Sequence, residues 1–72
     1  MSPEKMVMMA NQIATFFKTQ PGENNAEKVA DHINDFWEPR MRSMLISYVE
    51  SGGKGLDPMV IDAMSTVRRP AA

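Results

Sequence analysis

Met6-Val7-Met8-Met9-Ala10-Asn11-Gln12-Ile13-Ala14-Thr15-Phe16-Phe17 carries apolar side chains at Met6, Met9, Ile13, Phe16 and Phe17. Steps of three and four place them on one face of a helix. Ala10, Ala14 and Val7 widen that stripe. Upstream, Ser2-Pro3-Glu4 supplies a capping hydroxyl, a proline suited to the first helical position and an acid at the positive helix end. Downstream, Gln20-Pro21-Gly22 stops the helix, because a proline disfavours a helical residue before it. The pattern predicts a helix over about 3–19.

The same grammar continues along the chain. Glu23-Asn24-Asn25 reads as a polar loop, with Asn24 or Asn25 as the next cap. Ala26, Val29, Ala30, Ile33 and then Phe36 or Trp37 form an apolar face, with Asp31, Asn34 and Asp35 opposite. Glu38-Pro39 breaks it, so a second helix is expected over 25–37. Pro39 opens a third, over 39–51, with Met41, Met44, Leu45, Tyr48 and Val49 inward, and Ser51-Gly52-Gly53 ends it. Asp57-Pro58 repeats cap and proline before a short helix over 58–67, and a basic tail fills 68–72. Nothing reads as a strand. The expectation is one all-α domain over 1–72, a compact bundle of three to four short helices.

A 72-residue chain has a small core. A domain of this size buries only roughly 60% of its unfolded surface, and one core of this kind supplies ~3–5 kcal/mol. No cysteine is present, which excludes disulfides, thiolate metal sites and Cys nucleophiles, and one histidine cannot build a multi-histidine site. A partner is the remaining source of stability. Net charge is −1, too balanced for a general nucleic-acid binder, and no apolar run reaches the ~20 residues of a membrane span. The start, Met1-Ser2-Pro3-Glu4-Lys5, lacks signal-peptide features, so the cytoplasm is the expected compartment. Eight methionines suit irregular packing and adaptable contacts.

No catalytic, cofactor-binding or metal-binding set emerges. His32 reads as a surface histidine paired on a polar helix face. Met6 and Met9 read as core, with Met8 pointing elsewhere, rather than as a copper site. The densest stretch is Phe36-Trp37-Glu38-Pro39-Arg40-Met41-Arg42. Trp and Arg are enriched in binding hot spots. Adjacent helical residues diverge by ~100°, so one of the two aromatics should be partly exposed or packed on the third helix. Phe36, Trp37, Arg40, Met41 and Arg42 are therefore the candidate partner-binding residues.

Four pieces together resemble a known family. They are Met9-Ala10-Asn11-Gln12-Ile13-Ala14-Thr15-Phe16-Phe17, then Ala30-Asp31-His32-Ile33 with Phe36-Trp37-Glu38-Pro39-Arg40-Met41, then Gly52-Gly53-Lys54-Gly55-Leu56-Asp57-Pro58, and Arg68-Arg69-Pro70. In this order, over about residues 5–70, they look like the delta subunit of NAD-dependent formate dehydrogenase. The resemblance implies a cytoplasmic complex that oxidises formate and reduces NAD. It implies an alpha subunit carrying a molybdenum or tungsten bis-pterin guanine dinucleotide cofactor and iron–sulfur clusters, and beta and gamma subunits carrying FMN and further clusters. The delta chain itself would be cofactor-free and tied to assembly, stability or cofactor insertion. The leading expectation is a non-catalytic accessory subunit docked on the catalytic core. A transient maturation chaperone and a self-associating helical module are the alternatives.

Overall fold

The structure is a computed structural model that describes residues 2–70. Among the described residues it contains four helices and no strand, in the order α1 (Pro3–Lys18), α2 (Asn25–Phe36), α3 (Pro39–Glu50) and α4 (Pro58–Ala63). Ala71 and Ala72 of the expected tail lie outside the described residues.

The helix ends follow from local chemistry. The Ser2 hydroxyl accepts from the Lys5 amide at 3.2 Å, with Pro3 in the first turn. Asn24 precedes α2 in the left-handed region, with φ 65°, and its side chain makes no capping bond. Of the two candidates for the cap, Asn24 and Asn25, Asn24 takes the position, but through a backbone turn that asparagine tolerates rather than a side-chain bond. At the end of α3, the Gly53 amide donates to Tyr48 O and the Gly52 amide to Val49 O, both at 3.0 Å. These two bonds form a Schellman cap. The Asp57 carboxylate accepts from the Met59 amide at 2.9 Å and starts α4.

α4 closes at Ala63, short of the expected residue 67. The Ser65 and Thr66 hydroxyls donate to Asp62 O and Ala63 O, competing with the helical ladder. Beyond them, α2 takes hold of the backbone: Asn34 Nδ2 donates to Thr66 O at 3.0 Å, and Asn34 Oδ1 accepts from the Arg68 amide at 2.8 Å.

One apolar cluster draws from all four helices. α2 packs against α1 and α4, and α4 also reaches α1. Small residues, Ala10, Ala14, Ala30 and Ala63, let these helices approach closely, around Met6, Val29, Ile33 and Val60. Leu45 and Ile46 join α3 to the cluster, while Leu56, Val67 and Trp37 seal it from the connections. A second asparagine straps the glycine-rich loop: Asn11 Nδ2 donates to Gly55 O at 2.9 Å, and Asn11 Oδ1 accepts from the Asp57 amide at 2.8 Å. The Tyr48 hydroxyl donates to Lys54 O at 2.6 Å on the other side of that loop.

Candidate docking site

Phe36 and Trp37, adjacent at the end of α2, separate as the helical angle requires. Trp37 is buried at 6% exposure, whereas Phe36 is 73% exposed. The Trp37 amide still donates to Ile33 O at 2.9 Å, so its side chain keeps the helical direction into the core, and ψ 133° turns the chain out of the helix only after it.

Phe36 is not isolated. Its ring centroid lies 4.7 Å from His32, one helical turn earlier. His32 faces Phe17 of α1 at 6.3 Å, and Phe17 meets Phe16 edge-to-face at 5.1 Å. Edge-to-face and offset ring pairs of this separation are favourable by ~0.5–1.5 kcal/mol beyond the area they bury. The four rings form a ladder across α1 and α2. Beside it runs an open groove of about 460 Å³, lined by Met9, Gln12, Ile13, Phe16, Phe17, His32 and Trp37.

The five residues expected to bind a partner do not form one patch. Phe36 stands at the groove's edge and Trp37 lines it from below. Arg40 is exposed and borders a different hollow, between the start of α1 and α3, together with Ser43, Ser47 and Tyr48. Met41 is half-buried against the core. Arg42 is occupied internally: its Nη1 donates to Trp37 O at 2.9 Å and its Nε to Arg68 O at 3.1 Å. The guanidinium thus ties the α2–α3 corner to the C-terminal segment.

His32 is half-buried between rings rather than paired with a carboxylate on a polar face. Met6 is core, Met9 partly buried and Met8 52% exposed, as the stripe implied. Phe16, read from periodicity as inward, is 58% exposed. Phe16 and Phe17 pose the same angular problem as Phe36 and Trp37, which is the signal that finds it. Among the described residues, no three acidic or histidine side chains cluster closely enough to hold a metal ion. No described helix is long and apolar enough to cross a membrane.

Away from the groove, Lys18 is hydrogen-bonded to Asp57 in an ion pair linking α1 to the start of α4. That bond, with the Met59 amide, holds the Asp57 carboxyl below the usual carboxylate range despite an opposing effect of burial. The groove's lining is largely apolar and aromatic, and burying an exposed phenylalanine ring such as Phe16 or Phe36 contributes roughly 1.5–3 kcal/mol.

A comparison with curated proteins gives no match to the chain. The sequence pattern of the NADH-dependent formate dehydrogenase delta subunit FdsD matches residues 5–64, which take in α2, α3, α4 and nearly all of α1, with the whole aromatic ladder. With most of its length inside that pattern, the chain belongs to the NADH-dependent formate dehydrogenase delta subunit family.

Proposed function

We propose that the chain is a non-catalytic accessory subunit that docks on the core of a formate dehydrogenase and supports its assembly, stability or cofactor maturation. The observation that carries this is the pair of exposed rings, Phe16 and Phe36, on a bundle whose other aromatic ring on that corner, Trp37, is buried. A small core with ~3–5 kcal/mol to draw on keeps large apolar groups outside at a cost, and a partner surface removes that cost. Phe36 is the contact residue retained from the expected set, joined by Phe16 and His32. Arg40 is free to meet the partner at the neighbouring hollow, while Trp37, Met41 and Arg42 act from beneath as supports.

On this reading the alpha subunit is the docking partner, with the beta and gamma subunits completing the complex in the cytoplasm. The molybdenum or tungsten pterin, the iron–sulfur clusters and FMN reside on those subunits, since a cysteine-free chain has no thiolate to offer a cluster. Deleting the chain and purifying the remaining subunits tests the role. The expected result is loss of stoichiometric assembly or of cofactor content, with formate-dependent NAD reduction falling in proportion. A fully loaded, fully active complex without the chain would overturn it.

A further inference from the structure

The groove has a shape and a charge pattern that specify what fills it. Its α1 wall is a row at helical steps, Met9, Ile13, Phe16 and Phe17, and its other wall is His32 and Trp37, with the Phe36 ring against His32. Rows spaced by three and four residues interlock with the ridges of another helix. A third helix laid between α1 and α2 would cover both exposed rings at once, the helix-in-groove mode of recognition.

The two rims differ in charge. On the α1 side the exposed polar groups at helical steps from the lining are Lys5, one turn before Met9, and Gln12, one basic and one neutral. On the α2 side, Asp31 and Asp35 are exposed and one helical turn apart. They stand next in sequence to His32 and Phe36. Among the described residues the ion pairs are Lys18–Asp57 and Arg69–Glu50, and neither Asp31 nor Asp35 is in one. The Lys28 ammonium lies over the turn at Gly22, at the far end of the helix from Asp35. Asp35 sits in the last turn of α2, which holds no basic residue. The helix dipole makes that end partly negative, adding to the charge of Asp35 beside Phe36.

We infer that the groove between α1 and α2 receives an amphipathic helix of the partner protein, whose apolar stripe is bordered on the α2 side by lysine or arginine residues. This rests on the docking reading above and specifies the chemistry of the contact. The apolar stripe buries Phe16 and Phe36, and the basic border meets Asp31 and Asp35. Orientation follows as well, because only one direction of roll brings basic groups to Asp31 and Asp35 and keeps them away from Lys5.

The test is a titration of the purified chain into the complex isolated from cells lacking it. Asp31→Lys/Asp35→Lys is compared with wild type and with Asp31→Asn/Asp35→Asn, and circular dichroism confirms folding. If the lysine pair unfolds the chain, the asparagine pair is the arm that decides. Reversal is expected to weaken binding on the order of tenfold near 0.1 M salt, where the Debye length is ~10 Å. The gap should close near 1 M, where it is ~3 Å. A photo-crosslinking residue at Gln12 should capture a partner peptide with Lys or Arg beside an apolar stripe of helical spacing. Wild-type binding that persists unchanged on charge reversal, or a captured peptide that is acidic or neutral, overturns the inference and leaves the docking reading standing. Capture of a second copy of this chain overturns it in favour of self-association. No wild-type binding at all defeats the docking reading itself, and the inference with it.

Discussion

Asn34→Ala isolates the strap that holds the C-terminal segment on the bundle. The asparagine makes two bonds to backbone, 3.0 Å to Thr66 O and 2.8 Å from the Arg68 amide. Each neutral bond contributes ~0.5–1.5 kcal/mol net. Both backbone groups belong to exposed residues, so water replaces part of what is lost. The sum therefore falls toward about 1–2 kcal/mol. Against it stands helix propensity, since alanine is favoured over asparagine within a helix by up to ~0.7 kcal/mol. The net expectation is a loss of about 1 kcal/mol, or ~4–8 °C in the midpoint for a domain of this size. Thermal unfolding followed by circular dichroism measures it. Amide hydrogen exchange adds a local readout, because the Arg68 amide should lose protection that neighbouring α4 amides keep. The sign decides the matter. A midpoint unchanged or raised would mean that propensity acts unopposed and that the strap contributes nothing. Arg42→Ala should couple to this change, because Arg42 and Asn34 hold the two backbone groups of one residue, Arg68.

Gly53 stands at φ +64°, and a Cβ there would lie 2.8 Å from Ile61 Cδ1. Gly53→Ala should cost ~1–2 kcal/mol in urea unfolding, and an unchanged midpoint would refute the strain. Trp37→Ala should cost ~3–5 kcal/mol, whereas Phe36→Ser should cost no more than the ~0.5–1.5 kcal/mol of its ring pair with His32; equal losses would contradict the inward and outward placement of the two rings. Asp57, held below its ordinary range chiefly by Lys18, binds protons more weakly folded than unfolded. Its contribution is therefore present above the usual carboxylate range and lost as pH falls through the lowered value. Asp57→Asn should flatten that part of the acid limb of a stability–pH profile, and an unaltered limb would show that the ion pair does not stabilise the fold.

Periodicity and punctuation made the helices readable. Pro3, Pro39 and Pro58 each open a helix, and Gly52-Gly53 closes one. What local grammar could not show was the end of α4, because Asn34 and the Ser65 and Thr66 hydroxyls decide it, and Asn34 lies 32 residues from Thr66. The straps were hidden for the same reason. An asparagine inside a helix is a weak helix former, and that mild misfit is the one trace Asn11 and Asn34 leave in the sequence. The Phe36–Arg42 corner was legible as unusual, but hot-spot chemistry alone does not tell a contact from a clamp. Arg42 carries the right functional group and spends it on Trp37 O and Arg68 O. Phe16 went the other way: the apolar stripe absorbed it, yet a face wide enough for Phe17 cannot also bury its neighbour.

Docking through the aromatic groove is tested most directly by affinity purification of the complex through this chain, comparing wild type with Phe16→Ser/Phe36→Ser. Both rings are exposed, so the variant should remain folded, losing no more than the ring pairs with Phe17 and His32. The folded variant should no longer retain the catalytic subunit. A folded variant that still carries the catalytic subunit in wild-type proportion would contradict it.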